Sequence, residues 1–160
     1  MNKYTVLRDQ QEKANVWSFS PTELCRGTEE THLKTGDYTL AGYEDIFTIE
    51  RKASTGEFAT NINEARFSRE LVRLDGLKHS FLIFEFTLDD VYSFPFNSGI
   101  PAKIWPKLRV TSNYMLKRII EIETNHNVKV IFAGDRGPEI ALVIFKRMVE
   151  LYGKTNGVIK

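Results

Sequence analysis

The 160 residues predict an α/β fold, an α/β sandwich around a mixed sheet. Three observations carry this reading. Short β-branched and aromatic runs alternate with longer segments of helical periodicity, two of the runs sit close enough together to form a hairpin, and one run is apolar on both faces. The expected order is β, short α, β-hairpin, α, β, α, β, α.

Residues 3–8 carry Tyr4, Thr5, Val6 and Leu7 and predict a first strand that ends at Asp9 and the polar run Gln10-Gln11-Glu12-Lys13. Ser20-Pro21 has the form of a helix start, with a capping serine and a proline at the first position, so a short helix is expected up to Gly27 and a loop over 27–35. Residues 36–40 and 46–52 predict two strands of a hairpin joined by a polar turn. Alternation in the second puts Thr48, Glu50 and Lys52 on one face and Phe47, Ile49 and Arg51 on the other.

Ser54-Thr55-Gly56-Glu57 matches a capping box, and a helix of several turns is expected from it to about residue 74, with Phe58, Ile62 and Ala65 in its buried stripe. Arg66, Arg69 and Arg73 share another face, either a phosphate-contact surface or a solvated face paired with Glu64 and Glu70. Residues 80–86 are nearly continuously apolar and predict a strand buried on both sides, with Glu85 read as a strand-end residue facing water. Residues 88–111 are irregular, with Pro95, Pro101 and Pro106 among aromatics, which leaves open a functional loop, a partly ordered insertion or a partner-binding segment. A helix capped by Ser112 follows, with Leu116, Ile119, Ile120 and Glu123 together, then a strand at 128–133. The loop Gly134-Asp135-Arg136-Gly137-Pro138 opens a last helix with Ile140, Ile144, Met148 and Leu151 along one side.

Length and a hydrophobic content of 42% fit one domain over residues 1–160. No apolar run of about 18 residues occurs and the N-terminus has no signal-like segment, so a soluble intracellular protein is expected, in cytoplasm, nucleoid or nucleus. The single cysteine, Cys25, excludes an internal disulfide and a paired-thiolate zinc site, and His32, His79 and His126 lack metal-ligand spacing. Metal chemistry would have to use oxygen ligands. The formal net charge of +1 neither requires nor excludes nucleic acid, because acids gathered around a metal offset a basic rim.

Asp37 at the start of one hairpin strand and Glu50-Arg51-Lys52 at the end of the other would stand together as two carboxylates and an ammonium. Phosphodiester hydrolysis needs such a set, because hard oxygens hold Mg²⁺ and a lysine orients water or neutralises charge developing on phosphate. Alone, the spacing is a short pattern found in many strand ends. In order along the chain, Leu7-Arg8-Asp9-Gln10-Gln11-Glu12-Lys13, Gly36-Asp37-Tyr38, Ile49-Glu50-Arg51-Lys52 and Asn63-Glu64-Ala65-Arg66-Phe67 resemble the motifs of the nuclease domain of XPF-type structure-specific endonucleases, a branch of the PD-(D/E)XK superfamily. The resemblance covers about residues 4–86.

The resemblance implies a restriction-endonuclease-like fold, a mixed central sheet flanked by helices. It implies a metal-dependent endonuclease acting on branched or otherwise structured DNA in repair, recombination or replication. Asp37 and Glu50 would bind Mg²⁺, for which Mn²⁺ can substitute, and Lys52 would position or activate water. Asp9 and Glu12 are further acidic members, with Asp9 a third candidate ligand, and Arg51 and Arg66 match the family's motif arginines. Arg66, Arg69 and Arg73 are the candidate DNA-binding residues. The arginine usual in the first motif is Gln11 here, and the acid usual three residues beyond the lysine is Thr55. Members of this family often carry a tandem helix-hairpin-helix module and act as dimers. None follows here, so recognition of DNA is expected from the domain itself, a homodimer or a partner protein. The competing reading is a catalytically silent relative that binds DNA or a protein as a scaffold.

Overall fold

A computed structural model describes the backbone of residues 2–12 and 14–159 and side chains to Gly153; Lys13, quoted above within the first motif, lies outside the described residues. The elements run β1 (Tyr4–Asp9), β2 (Cys25–Thr31), β3 (Tyr38–Leu40), β4 (Phe47–Lys52), α1 (Thr55–Asn61), α2 (Ala65–Asp75), β5 (His79–Phe84), α3 (Leu88–Tyr92), a 3-10 turn (Ala102–Lys107), α4 (Ser112–Asn125), β6 (Lys129–Phe132) and α5 (Gly137–Ile159). Six strands form one sheet in the order β2-β1-β3-β4-β5-β6. The β1/β3 and β3/β4 pairs are antiparallel, and β1/β2, β4/β5 and β5/β6 are parallel. This is the mixed sheet expected.

Strand β5 shows why the sheet has two covered faces. Phe81 and Ile83 join the core shared with Phe145 and Met148 of α5, while Leu82 and Phe84 join the core shared with Phe58, Phe67 and Leu71 of α1 and α2 and Met115 and Ile119 of α4. A central strand between two parallel neighbours must be apolar on both sides, so the continuous apolar run is its signature.

Several local expectations are corrected. Residues 20–27 form no helix. The Thr22 hydroxyl accepts the amides of Leu24 and Cys25 at 3.2 and 3.0 Å, a side-chain turn that competes with helix and turns the chain into β2. That strand takes the place of much of the expected loop, and it is polar because it is an edge. The helix expected up to residue 74 is two helices. Around the break, the Glu64 amide donates to the Asn61 carbonyl at 2.9 Å and the Asn61 side chain to Glu64 Oε1 at 3.2 Å. The buried stripe of the second helix is therefore Phe67, Leu71 and Leu74, with Ala65 exposed. In α4 the cap is Thr111, and Ile120 faces out at 58% exposure while Met115 and Ile122 turn in. On α5, Leu151 is exposed and Ala141, Phe145 and Val149 complete the buried side. Segment 88–111 is an ordered excursion held by α3 and the 3-10 turn. No described helix is long and apolar enough to cross a membrane.

Candidate active site

Gly36 delivers Asp37 to the centre of the sheet. Its φ is +76°, and a Cβ there would lie 2.0 Å from Thr48 Oγ1, so only glycine lets the chain pass over β4 at this point. The Asp37 amide then donates to the Ile49 carbonyl at 2.8 Å, and its Oδ2 accepts the Arg51 amide at 2.8 Å. Gly36→Ala is expected to destabilise the protein by about 1–3 kcal/mol through overpacking and left-handed strain, measured by urea unfolding. A cost under about 0.5 kcal/mol would show that the loop simply moves aside.

Strand β4 splits its charged end between the two faces, as alternation required. Toward α2, the Lys52 ammonium donates to Glu50 Oε1 at 3.2 Å and lies 5.0 Å from the centre of the Phe67 ring. Both side chains are about 6% exposed. Toward the other face, the Arg51 guanidinium donates to Glu12 Oε2 at 2.9 Å, to the Ala14 carbonyl at 3.0 Å and to Glu85, and stands 5.6 Å from the Trp17 ring centre. Arg51 and Glu12 are thus brought together as framework, clasping the chain after β1 to the sheet. Tyr38 hydroxyl reaches the same Glu12 oxygen at 3.5 Å. Glu85 is not a free strand end; it is a half-buried partner of Arg51, a contact across 34 positions of sequence that no local pattern signals.

Asp9 follows a different course from Asp37 and Glu50. Its Oδ1 accepts the Leu33 amide at 2.9 Å and its Oδ2 the Gln11 amide at 3.4 Å, which pins the chain beyond β2 to the end of β1. Its own amide donates to the Asp37 carbonyl at 2.8 Å, so the two acids are neighbours through backbone. Arg66, Arg69 and Arg73 are exposed on one face of α2, and Arg66 comes no closer than 3.9 Å to Glu64. Apart from that pair, the arginine face carries no ion pair among the described residues.

Glu70, treated in sequence only as a surface partner for these arginines, stands between their face and the buried stripe of α2. It lies within hydrogen-bonding reach of Glu50 and bears electrostatically on Asp37 and Lys52. Helical spacing from Phe67, whose ring lies beneath Lys52, was the one signal available. Glu57 caps β4's exit, its carboxylate accepting the Ala53 amide at 2.9 Å, while Ser54 Oγ accepts the Glu57 amide at 3.1 Å. Thr55, where the family usually has an acid, is fully buried. The histidines do other work: His79 contacts the Tyr152 hydroxyl at 2.7 Å and His126 the Asp75 carboxylate at 2.6 Å.

Burial, with the Glu12 charge next, pushes the Asp37 carboxyl up to about 8. Burial and Asp37 likewise push Glu50 far above the usual carboxylate range. Burial works against the Lys52 ammonium, but Glu50 and Glu70 outweigh it and raise its pKa. A carboxyl whose folded pKa is raised leaves the folded state holding a proton that the unfolded chain has lost, so stability is full below about pH 4 and declines as pH rises toward 8. In EDTA, the melting temperature is expected to fall between pH 5 and pH 8, and Asp37→Asn to flatten that fall. A wild-type profile that rises over this range would contradict the assignment.

This charge pattern bears on a cation. Glu50 Oε2 is buried without a hydrogen-bond donor, beside a second carboxylate and a lysine already committed to Oε1. The described residues contain no group of three or more His, Cys, Asp or Glu side chains placed to hold an ion. That donor set does not suit a closed protein cage. It does suit Mg²⁺, which keeps several waters and is commonly held by one or two carboxylates plus substrate phosphate.

A family model described as the ERCC4 domain matches residues 10–138. Among solved structures, XPF from Aeropyrum pernix is similar with a TM-score of 0.60 and 19% identity, covering 96% of this chain and 68% of that one. The structure of XPF from Aeropyrum pernix in complex with DNA matches with a TM-score of 0.59 and 18% identity, covering 96% and 66%. The chain thus spans about two thirds of the length of those structures. At this identity the likeness shows the fold, which is that of the XPF nuclease domain, a restriction-endonuclease-like mixed sheet flanked by helices. No curated protein matches. With most of its length matched by the family model, the chain belongs to the ERCC4 domain family.

Proposed function

We propose that this chain is a divalent-metal-dependent endonuclease that hydrolyses phosphodiester bonds in branched or otherwise structured DNA. The observation that carries the reading is the juxtaposition of Asp37, Glu50 and Lys52 at the ends of adjacent strands, with the Asp37 carboxylate hydrogen-bonded at 2.8 Å to the backbone between Glu50 and Lys52. Ion pairs that serve only stability seldom gather two carboxyls whose burial raises both pKa values, with Asp37 raising that of Glu50 further.

Asp37 and Glu50 would hold Mg²⁺ or Mn²⁺. The cation, when bound, supplies Lewis-acid polarisation of the phosphate and makes a water more acidic. Lys52, fixed by Glu50 and by the Phe67 face, orients the attacking water and offsets charge growing on the phosphate oxygens. Arg51 and Glu12 act one step back, holding β4 and the chain after β1 in register. Asp9 ties the end of β1 to the residues after β2. Arg66, Arg69 and Arg73 grip DNA phosphates, which sets register without reading bases.

The test is cleavage of labelled linear, forked, flapped and four-way DNA with Mg²⁺, Mn²⁺ or EDTA, comparing wild type with Asp37→Ala. Metal-dependent cutting lost in the variant is expected. Binding without cutting of any substrate would overturn the reading in favour of a silent DNA-binding scaffold.

A further inference from the structure

Segment 88–111 is not used by the site described above, yet it is built rigidly beside it. The Gly56 amide, in the first turn of α1, donates to the Ser98 carbonyl at 3.2 Å, and a Cβ at Gly56 would lie 2.4 Å from that oxygen. Helix α1 begins three residues after Lys52. The segment is therefore clasped to the chain leaving the active-site strand. Within it, the Trp105 indole N–H donates to the Ile100 carbonyl at 2.9 Å, and the Trp105 and Phe96 ring centres lie 5.7 Å apart.

These rings are not core. Phe96 and Tyr92 are each 62% exposed, which is costly for aromatics in water unless something covers them. Beside them opens a cleft of about 400 Å³, lined by Phe94, Trp105, Val110, Thr111, Ser112 and Asn113. Its volume falls in the range of small-ligand clefts, about 300–1,000 Å³. The charge of the surrounding chain is one-sided: from Val91 to Ile120 there is no Asp or Glu, while Lys103, Lys107 and Arg109 are exposed. The flanking acid Asp90 is spent on the Thr87 amide at 2.8 Å, leaving Asp89 as the acid at the margin.

We propose that this aromatic and basic surface binds unpaired DNA next to the active site, with bases stacking on Phe96 and Trp105, one base entering the cleft, and Lys103, Lys107 and Arg109 neutralising phosphates. Aromatic faces accept any base, and a surface rich in lysine and arginine with one acid at its margin tracks the backbone. A protein partner would also cover apolar rings, but it gives no reason for thirty residues without one acid. The inference rests on the nuclease reading and deepens it. It explains how a site that grips phosphates would prefer a junction: duplex lies along the arginine face of α2 while an unpaired arm occupies segment 88–111.

The test is fluorescence anisotropy in EDTA with three labelled probes: a fifteen-residue oligo-dT, a fork with two unpaired arms, and a blunt duplex. Wild type is expected to bind the fork and oligo-dT more tightly than the blunt duplex. Phe96→Ala, at a surface position where folding is not at stake, is expected to weaken oligo-dT and fork binding roughly ten- to a hundredfold and to leave the blunt duplex within about twofold. The Lys103→Gln, Lys107→Gln double variant should lower the slope of log affinity against log salt for oligo-dT by about 1.4. Unchanged oligo-dT binding in both variants, or equal loss on all three probes, would overturn the proposal while wild-type cleavage continued. Wild type that neither binds nor cuts any DNA would instead remove the nuclease reading itself.

Discussion

Lys52→Ala is expected to lower the rate of metal-dependent DNA cleavage by at least about two to three orders of magnitude, the effect typical of removing a preorganised charge from a site where negative charge develops. The ammonium is held at 3.2 Å from Glu50 and rests over Phe67, so it is placed before substrate arrives. Truncation also leaves the Glu50 and Glu70 carboxyls without their cation. Buried Glu50 responds by keeping its proton, which limits the loss of stability but further weakens metal binding near neutral pH. Because alanine removes packing as well as charge, Lys52→Met is the companion variant. It keeps the apolar stem over Phe67 and is expected to melt close to wild type while remaining inactive. Cleavage rates within tenfold of wild type in both variants would mean that Lys52 is only a structural counter-ion.

Arg51→Ala should produce the largest loss of stability, about 3 kcal/mol, and a fall in melting temperature of roughly 6–12 °C. Its side chain is 4% exposed and closes a network of Glu12, Glu85 and the Ala14 carbonyl against the Trp17 ring. Removing it strands two carboxylates that are 19% exposed; their residual contact with water is why the lower end of the range for a broken buried pair applies. Arg51→Lys should recover less than half, since a point charge cannot span two carboxylates and a carbonyl. Urea unfolding measures the difference. A change below about 1 kcal/mol would show that Arg51 does not bear the frame, and would return it to the pool of candidate phosphate contacts.

These two neighbours, one residue apart, show what was legible in the chain. Period-two alternation alone placed Lys52 with Glu50 and Arg51 on the opposite face, and the apolar run at β5 alone required a sheet covered on both sides. Those features are fixed by geometry within a few residues, so the sequence by itself determined the mixed sheet, the hairpin and the strand ends on which Asp37, Glu50 and Lys52 stand.

Tertiary structure decided which acids share that site. Asp9 and Glu12 sit in the same motif three residues apart, yet one carboxylate is taken by the Leu33 and Gln11 amides and the other by Arg51. Glu70 and Glu85 looked like surface charges because their partners lie on other elements, Glu50 twenty positions away and Arg51 thirty-four. The edge strand β2 was missed for the same reason: its residues are polar, and it is a strand because β1 offers it a row of hydrogen bonds. Local sequence dictates conformations whose energy is paid within a turn or a strand. Ion pairs and edge pairing depend on distances set only when the sheet has closed, and these are what turned a list of acids into a site.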